Sequence, residues 1–322
     1  MKEFSVIDMH CDTIPTLLRL KKSFVDNDMH ISLNKMKEGN YLMQCFAMFV
    51  YLKKGISPFE TCNRYMDYYD KVMEENSDVI CKVTTVEEIL ENRKKGKMSG
   101  LLTIEEGEVI EGSLEKLEHF YQRGARMMTL TWNFDNQLAH PNYLYEDPPR
   151  ADSERGLTPL GFEVINRMWE LGMIVDISHL NDAGIYDILN CARKPIVASH
   201  SNARAVCDFP RNLTDDMIRR LKDNHGIMGI NYCPDFISKN PEGDQIADIV
   251  KHIKHIVSVA DVNTVALGSD FDGIPTPVGM SDCTKTRVLY QALKQEGFTE
   301  EDIDKIFYKN FLRVLKANQE EP

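Results

Sequence analysis

Near the N-terminus the stretch VIDMHCDTI places His10 and Asp12 two residues apart inside an otherwise apolar run. Side chains at i and i+2 of a strand point the same way, so an imidazole and a carboxylate are presented together. Both groups suit Zn²⁺ and related divalent ions. One such pair means little unless the rest of the chain supplies partners. Further candidates stand in similar settings: Glu105 and Glu106 in GLLTIEE, His179 in MIVDISH, His200 in PIVASH, and Asp270, with Asp272 beyond it, in TVALGSDFDG. Each closes a short apolar run. Together they offer three imidazoles and several carboxylates, the donor set of a divalent metal site.

Those donors need a frame that brings strand ends to one rim. Eight β-rich runs are legible, at 5–11, 42–50, 100–106, 125–132, 173–179, 195–200, 226–232 and 264–270. Helical patterns lie between them. SPFETCNRYMDYYDKVMEEN opens on a Ser cap, and SLEKLEHFYQRG and TPLGFEVINRMWELG each start with a cap residue and end on Gly. TDDMIRRLKDNHG and TEEDIDKIFYKNFLRVLKAN open on Thr followed by acids, which suit a helix N-terminus. Strands alternating with helices predict parallel β-α units, and eight of them predict a closed (β/α)8 TIM barrel spanning 1–322 as a single domain. An open doubly wound sheet is the alternative, but its Gly-rich phosphate turn is missing after the first strand, where HCDTIP stands. In such barrels the active site lies at the C-terminal ends of the strands. The longest irregular piece, 136–156, is long enough to be functional.

Composition removes several function classes. The 322 residues are 43% hydrophobic, enough for a large core, and carry a net charge of −12. That charge repels polyphosphate, so nucleic acid is not an expected partner. No apolar run reaches the roughly 18 residues of a membrane span, and the first residues lack a secretory apolar region, so a cytoplasmic location is expected. The eight scattered cysteines form no C-x-x-C pair and read as reduced packing residues. Cys11 lies between His10 and Asp12 and points the other way, against a nucleophilic role. There is no G-x-S-x-G elbow, P-loop or H-E-x-x-H helix. Of the other histidines, His252 and His255 read as a solvated helix face, and His30, His119 and His225 as loop or surface residues. His140, in the long loop, could reach a substrate.

Taken together the segments VIDMHCDT, IEEGEVI, L..FY..G.R.MTLTWN, GLTPLGFEVI…LGMIVDISH, PIVASHSNARAV…RN and LGSDFDG resemble the zinc-dependent membrane or renal dipeptidase family, in its bacterial, soluble form. The likeness runs from about residue 6 to the helix at 310–315. It implies a barrel with two zinc ions. By position His10 and Asp12 would hold one ion, His179 and His200 the other, and Glu105 would bridge them, with Glu106 as the fallback. Arg211, in PRNL, matches an arginine that binds the substrate carboxylate. Asp270 matches the acid at the end of the eighth strand and would carry a proton from the bridging water to the leaving amine. The substrates implied are small dipeptides, those with a C-terminal D-residue included, and a homodimer is implied by the family alone.

Two positions depart from that family. Glu106 stands where a glycine would follow the bridging glutamate. Trp132 stands where animal members carry a substrate-touching histidine, and Asn133 and His140 are the candidates to replace it. Two other readings remain open on sequence. One is a different binuclear-metal barrel amidohydrolase, acting on a cyclic amide, lactone or nucleobase; Arg211 and the DFDG segment speak against it. The other is a zinc-dependent binding or scaffold protein without catalysis, against which stand Asp270 and all five ligand positions.

Overall fold

The structure is a computed structural model that describes residues 4–143, 154–240, 243 and 245–320. Nine strands follow the chain: β1 (Val6–Asp8), β2 (Tyr41–Phe49), β3 (Ile80–Val83), β4 (Met98–Glu105), β5 (Ala125–Thr129), β6 (Ile174–Asp176), β7 (Val197–Ala198), β8 (Ile227–Ile230) and β9 (Val265–Leu267). They pair in the order β2-β1-β9-β8-β7-β6-β5-β4-β3, and a further β2–β4 pairing closes the ring. The closing ladder is parallel and runs from Met43 opposite Ser99 to Phe49 opposite Glu105. Closure rules out the open sheet. The expected (β/α)8 barrel is present, formed by all strands except β3.

β3 is the one strand that sequence reading missed. It pairs with Met98–Leu101 on the first half of β4, and β5 takes over on the same side at Leu102. Its four residues ICKV are buried only at their two ends. A half-exposed run that short has too little apolar character to stand out.

The expected helix caps are formed. The side chains of Ser57, Ser113, Thr158 and Thr214 each accept a backbone N–H of their helix's first turn. Gly172 closes the helix Pro159–Leu171 with φ 76°, a left-handed position that favours glycine. The long C-terminal helix is interrupted: Glu300–Asp304 and Asn310–Gln319 are α-helical, with a π turn at Lys305–Lys309 between them.

The barrel interior is apolar low down. Ile7, Met9, Met43, Cys45, Leu101, Met127, Ile174, Val197, Ile227 and Ala266 pack together, joined by Phe311, Val314 and Leu315 of the C-terminal helix. Polar side chains therefore belong to the opposite, C-terminal rim. A second apolar layer lies between strands and helices and holds Cys11, which agrees with its expected outward direction. All eight cysteines are free, and six are buried.

The ladders are shorter than expected. β6 ends at Asp176 and β7 at Ala198, whereas the runs read from sequence extend to His179 and His200. The chemistry-bearing residues thus sit on turns just past the hydrogen-bonded strands. His179 (φ 67°) and Asp270 (φ 64°) are both left-handed, a conformation uncommon outside glycine that turns their side chains across the barrel mouth.

Candidate metal centre

Glu105, at the end of β4, is the centre of the cluster. Its Oε2 lies 3.3 Å from His10 Nε2. Its Oε1 lies 3.0 Å from His179 Nε2 and 3.6 Å from His200 Nε2. On the His10 side, Nε2 is also 3.7 Å from Asp12 Oδ1 and 3.9 Å from Asp270 Oδ1. The His10 and His200 rings stack with centroids 3.8 Å apart, and the two Nε2 atoms of His179 and His200 lie 3.1 Å apart. Ligand atoms converge in two overlapping groups, His10–Glu105–His200 and His10–Asp12–Asp270, every member buried.

Neighbouring strands hold these side chains through two similar clamps. Asp8 accepts the backbone N–H of His10 and both the N–H (2.8 Å) and hydroxyl (2.6 Å) of Ser269, the residue before Asp270. Asp176 accepts the N–H of Ser178 (3.0 Å) and both the N–H (2.9 Å) and hydroxyl of Ser199, the residue before His200. Thr129 also donates to Asp176, at 2.6 Å. Asp270 is fixed by the Asn231 amide, 2.9 Å from Oδ2. Asp12 begins the helix Thr13–Leu20, yet its side chain makes no capping bond. Its carboxylate is left for the cluster.

Burial sets the electrostatics. It pushes the Glu105 carboxyl up to about 8, with His10 pulling it back and Asp12 and Asp270 adding to the rise. Asp270 is pushed up to about 6 by burial, against the pull of His10. Burial opposes charge on His10, but Glu105 and Asp12 outweigh it and hold the imidazole well above its ordinary range. His179 and His200 move the other way. Burial, reinforced by the positive charges of Arg211 and His10, keeps both well below the ordinary histidine range. Three acids thus crowd one buried corner with too little positive charge beside them.

A divalent cation would supply that charge. His10 Nε2 and Asp12 Oδ1 are buried and have no hydrogen-bond partner. Orphan ligand atoms of this kind cost free energy unless something else satisfies them. The donor set, imidazole nitrogens and carboxylate oxygens, matches what zinc-like ions take. The residues fit a metal.

Other expected residues are placed as follows. Arg211 is buried beside the histidines, donating from Nη1 to Ser201 Oγ and from Nη2 to the His200 carbonyl, both at 3.0 Å, while its Nε has no partner. Asn133 turns its Oδ1 to His179 Nδ1 at 2.9 Å, so it orients a candidate ligand. His140 pairs through Nδ1 with Asp135 at 2.9 Å. Part of the long loop that carries it lies outside the described residues. Glu106 faces away from the cluster and accepts from the N–H of Trp132 and of Glu108, each at 2.9 Å, and from the Asn136 amide at 2.6 Å.

Two histidines differ from the sequence reading. His252 is fully buried, receiving the Ala203 N–H at 3.1 Å and lying 2.9 Å from the Ile237 carbonyl. His30 is buried against Asp272, whose backbone N–H it accepts. Asn231, Asp8 and Asp176 were missed. Asn231 stands next to last in the run GIMGINY, directly after β8, and the strand-end rule that picked the other residues would have picked it too.

Comparison with known proteins gives the family. The profile of the membrane dipeptidase family, peptidase family M19, matches residues 1–321. The chain belongs to that family. Its relatives include an uncharacterised dipeptidase of Schizosaccharomyces pombe, 32% identical over 343 residues that cover 99% of this chain and 81% of the relative. Among solved structures, the dipeptidase AC, a metallopeptidase of the same family, is 25% identical with a TM-score of 0.90, covering 99% of both chains. A Rhodobacter sphaeroides metallopeptidase, solved with a phosphinate mimic of L-Ala-D-Ala, shares the fold at 24% identity and a TM-score of 0.90, covering 98% of this chain and 99% of that one. The family is one of metallodipeptidases, hydrolases that depend on metal. Among the described residues no helix is long and apolar enough to cross a membrane.

Proposed function

We propose that this chain is a zinc dipeptidase holding two ions, with His10 and Asp12 on one, His179 and His200 on the other, and Glu105 shared. The observation that carries this reading is the Glu105 carboxylate, which turns Oε2 to His10 at 3.3 Å and Oε1 to His179 at 3.0 Å. A carboxylate with one oxygen toward each imidazole group is arranged to bridge. When bound, such ions supply Lewis-acid polarisation of the peptide carbonyl and a water acidic enough to attack at neutral pH.

The protein's own residues do the rest. Asp270 has one oxygen tied to Asn231 and the other directed to the cluster. Its carboxyl, pushed up to about 6 by burial, suits a group that takes a proton near neutrality and returns it to the leaving amine. Arg211 holds the free carboxylate at the C-terminal end of the substrate, with its unpartnered Nε as a donor. Reading that carboxylate limits cleavage to very short peptides. His140 and the amide nitrogen of Asn133 contact the substrate from the loop side. A C-terminal D-residue is accepted, as the mimic bound to the Rhodobacter relative suggests. Residues 1–322 form one catalytic domain, cytoplasmic and homodimeric.

The test is amine release from a panel of L,L and L,D dipeptides by purified, zinc-loaded protein, with a chelated sample alongside. Turnover that disappears on chelation is expected. Zinc-loaded protein that cleaves no dipeptide would break the substrate assignment.

A further inference from the structure

The clamp at Asp176 does more than tie two strands. Ser199 Oγ stands between the Asp176 carboxylate and His200 Nδ1, and the latter is 2.7 Å away. A carboxylate can only accept hydrogen bonds. Asp176 is surrounded by donors, taking the Ser178 and Ser199 N–H groups on Oδ1 and the Thr129 and Ser199 hydroxyls on Oδ2. The single hydroxyl proton of Ser199 goes to Asp176, its nearest acceptor, while the Ser178 hydroxyl, 3.3 Å away, is free to donate to the Ser199 oxygen in turn. Ser199 then offers only lone pairs to His200, so the proton of the neutral imidazole must sit on Nδ1. That leaves Nε2 bare, and Nε2 is the atom facing Glu105.

We infer that Asp176 is a positioning residue that locks the tautomer of His200 through the Ser199 hydroxyl, so that His200 Nε2 is always ready to bind metal. The three side chains are each at most 1% exposed, so water does not compete for these bonds. The His200 backbone is held as well: its N–H donates to Ser178 Oγ at 3.0 Å. A second residue leaves room for the Ser199 backbone. Gly268 passes so close to the Ser199 carbonyl that a Cβ there would sit 1.7 Å from the oxygen. Any larger residue at 268 would push Ser199 out of the relay.

The inference rests on reading His200 as a metal ligand, but its first readout does not need metal. The full chain is labelled with ring ¹⁵N-histidine, and the imidazole nitrogens are read by multiple-bond ¹H–¹⁵N spectroscopy, with and without zinc. His200 is assigned by difference with His200→Asn. Wild-type His200 is expected to carry its proton on Nδ1 in the metal-free protein. Ser199→Ala removes the relay and leaves Asp176 its other donors; it should release the Nε2–H tautomer and weaken zinc binding, by calorimetry, by about 10–100-fold. Asp176→Asn presents an amide donor to Ser199, turns the hydroxyl toward His200 and should shift the tautomer further. If Asp176→Asn does not fold, Ser199→Ala decides. An Nε2–H tautomer in the wild type, or Ser199→Ala protein with unchanged tautomer and affinity, overturns the inference. Wild-type protein with the Nδ1–H tautomer that takes up no zinc overturns the metal assignment and leaves this inference standing.

Discussion

The two corners of the site are built differently around one shared glutamate. The corner of His10, Asp12 and Asp270 is rich in carboxylates, and two of its ligand atoms have no partner. The corner of His179 and His200 is all imidazole, and each ring has its far nitrogen engaged, by Asn133 and by Ser199. Charges act in opposite directions too. His10 is held toward its charged form, whereas burial holds His179 and His200 neutral. The imidazole corner is thus ready before a metal arrives. The carboxylate corner is not: it holds protons where the ion would sit, and it must give them up when metal binds.

The strongest test of this contrast removes what both corners share. Glu105→Gln should lower the zinc content from two ions toward one, retained at the imidazole corner. The metal's contribution to transition-state stabilisation is several kcal/mol, so turnover should fall by roughly 10³–10⁴-fold. Metal analysis of the dialysed variant beside a dipeptide assay checks both. Two ions retained at wild-type affinity would show that Glu105 does not bridge.

Asp270→Asn comes next. It keeps the shape beside Asn231 and removes the proton acceptor. If Asp270 moves the proton, kcat should drop by about 10²–10³-fold with zinc content unchanged, within the range that acid–base catalysis supplies. Unreduced turnover with intact zinc would remove Asp270 from the mechanism.

The contrast also predicts a pH dependence. Without metal, Glu105 is an acid whose folded value, about 8, lies above its ordinary 4.5 because of burial. The folded state favours the protonated form. Its contribution to metal-free stability is complete below about pH 4.5 and is lost as pH rises toward 8. Zinc needs the carboxylate, so metal binding competes with that proton and strengthens through the same window. The difference in Tm between zinc-loaded and chelated protein should widen from pH 5 to pH 8 and flatten above. A difference independent of pH would mean that the carboxylate corner does not release protons to the metal.

Sequence and structure agree where a residue's type and strand position suffice. Six of the expected polar positions, His10, Asp12, Glu105, His179, His200 and Asp270, meet around one rim, because each follows an apolar run whose direction the barrel fixes; Arg211, expected only from the family resemblance, joins them from the loop after β7. What escaped depends on partners far away in the chain. Asp8 gains its role only through Ser269, 261 residues on, which the sequence around Asp8 does not reveal. Asp176 is the same case beside Ser199. His252 was misread because its helix buries that face against the segment near Ala203, which helical periodicity alone does not reveal. β3 was lost to its brevity and half-exposure. The family resemblance favours Glu105 over Glu106, and the two side chains point apart, Glu105 to the histidines and Glu106 to Trp132 and Asn136.

That separation gives the mildest test. Glu106 adopts φ 94°, a region that glycine enters freely and other residues rarely. Its carboxylate collects the N–H groups of Trp132 and Glu108 and the Asn136 amide, and so braces the loop that carries Asn133. Burial pushes this carboxyl up to about 7, while those same donors pull it back. Glu106→Gln keeps the size and the strained backbone but turns an amide donor toward at least one of the three donors it should accept. Leaving such a group unsatisfied costs roughly 1–3 kcal/mol. A fall in stability of about that size by chemical denaturation is expected, with two zinc ions still bound. The His179 side should feel it slightly, through Asn133. Loss of an ion from Glu106→Gln, with Glu105→Gln still holding two, would exchange the duties of the two glutamates and place the bridge one residue later.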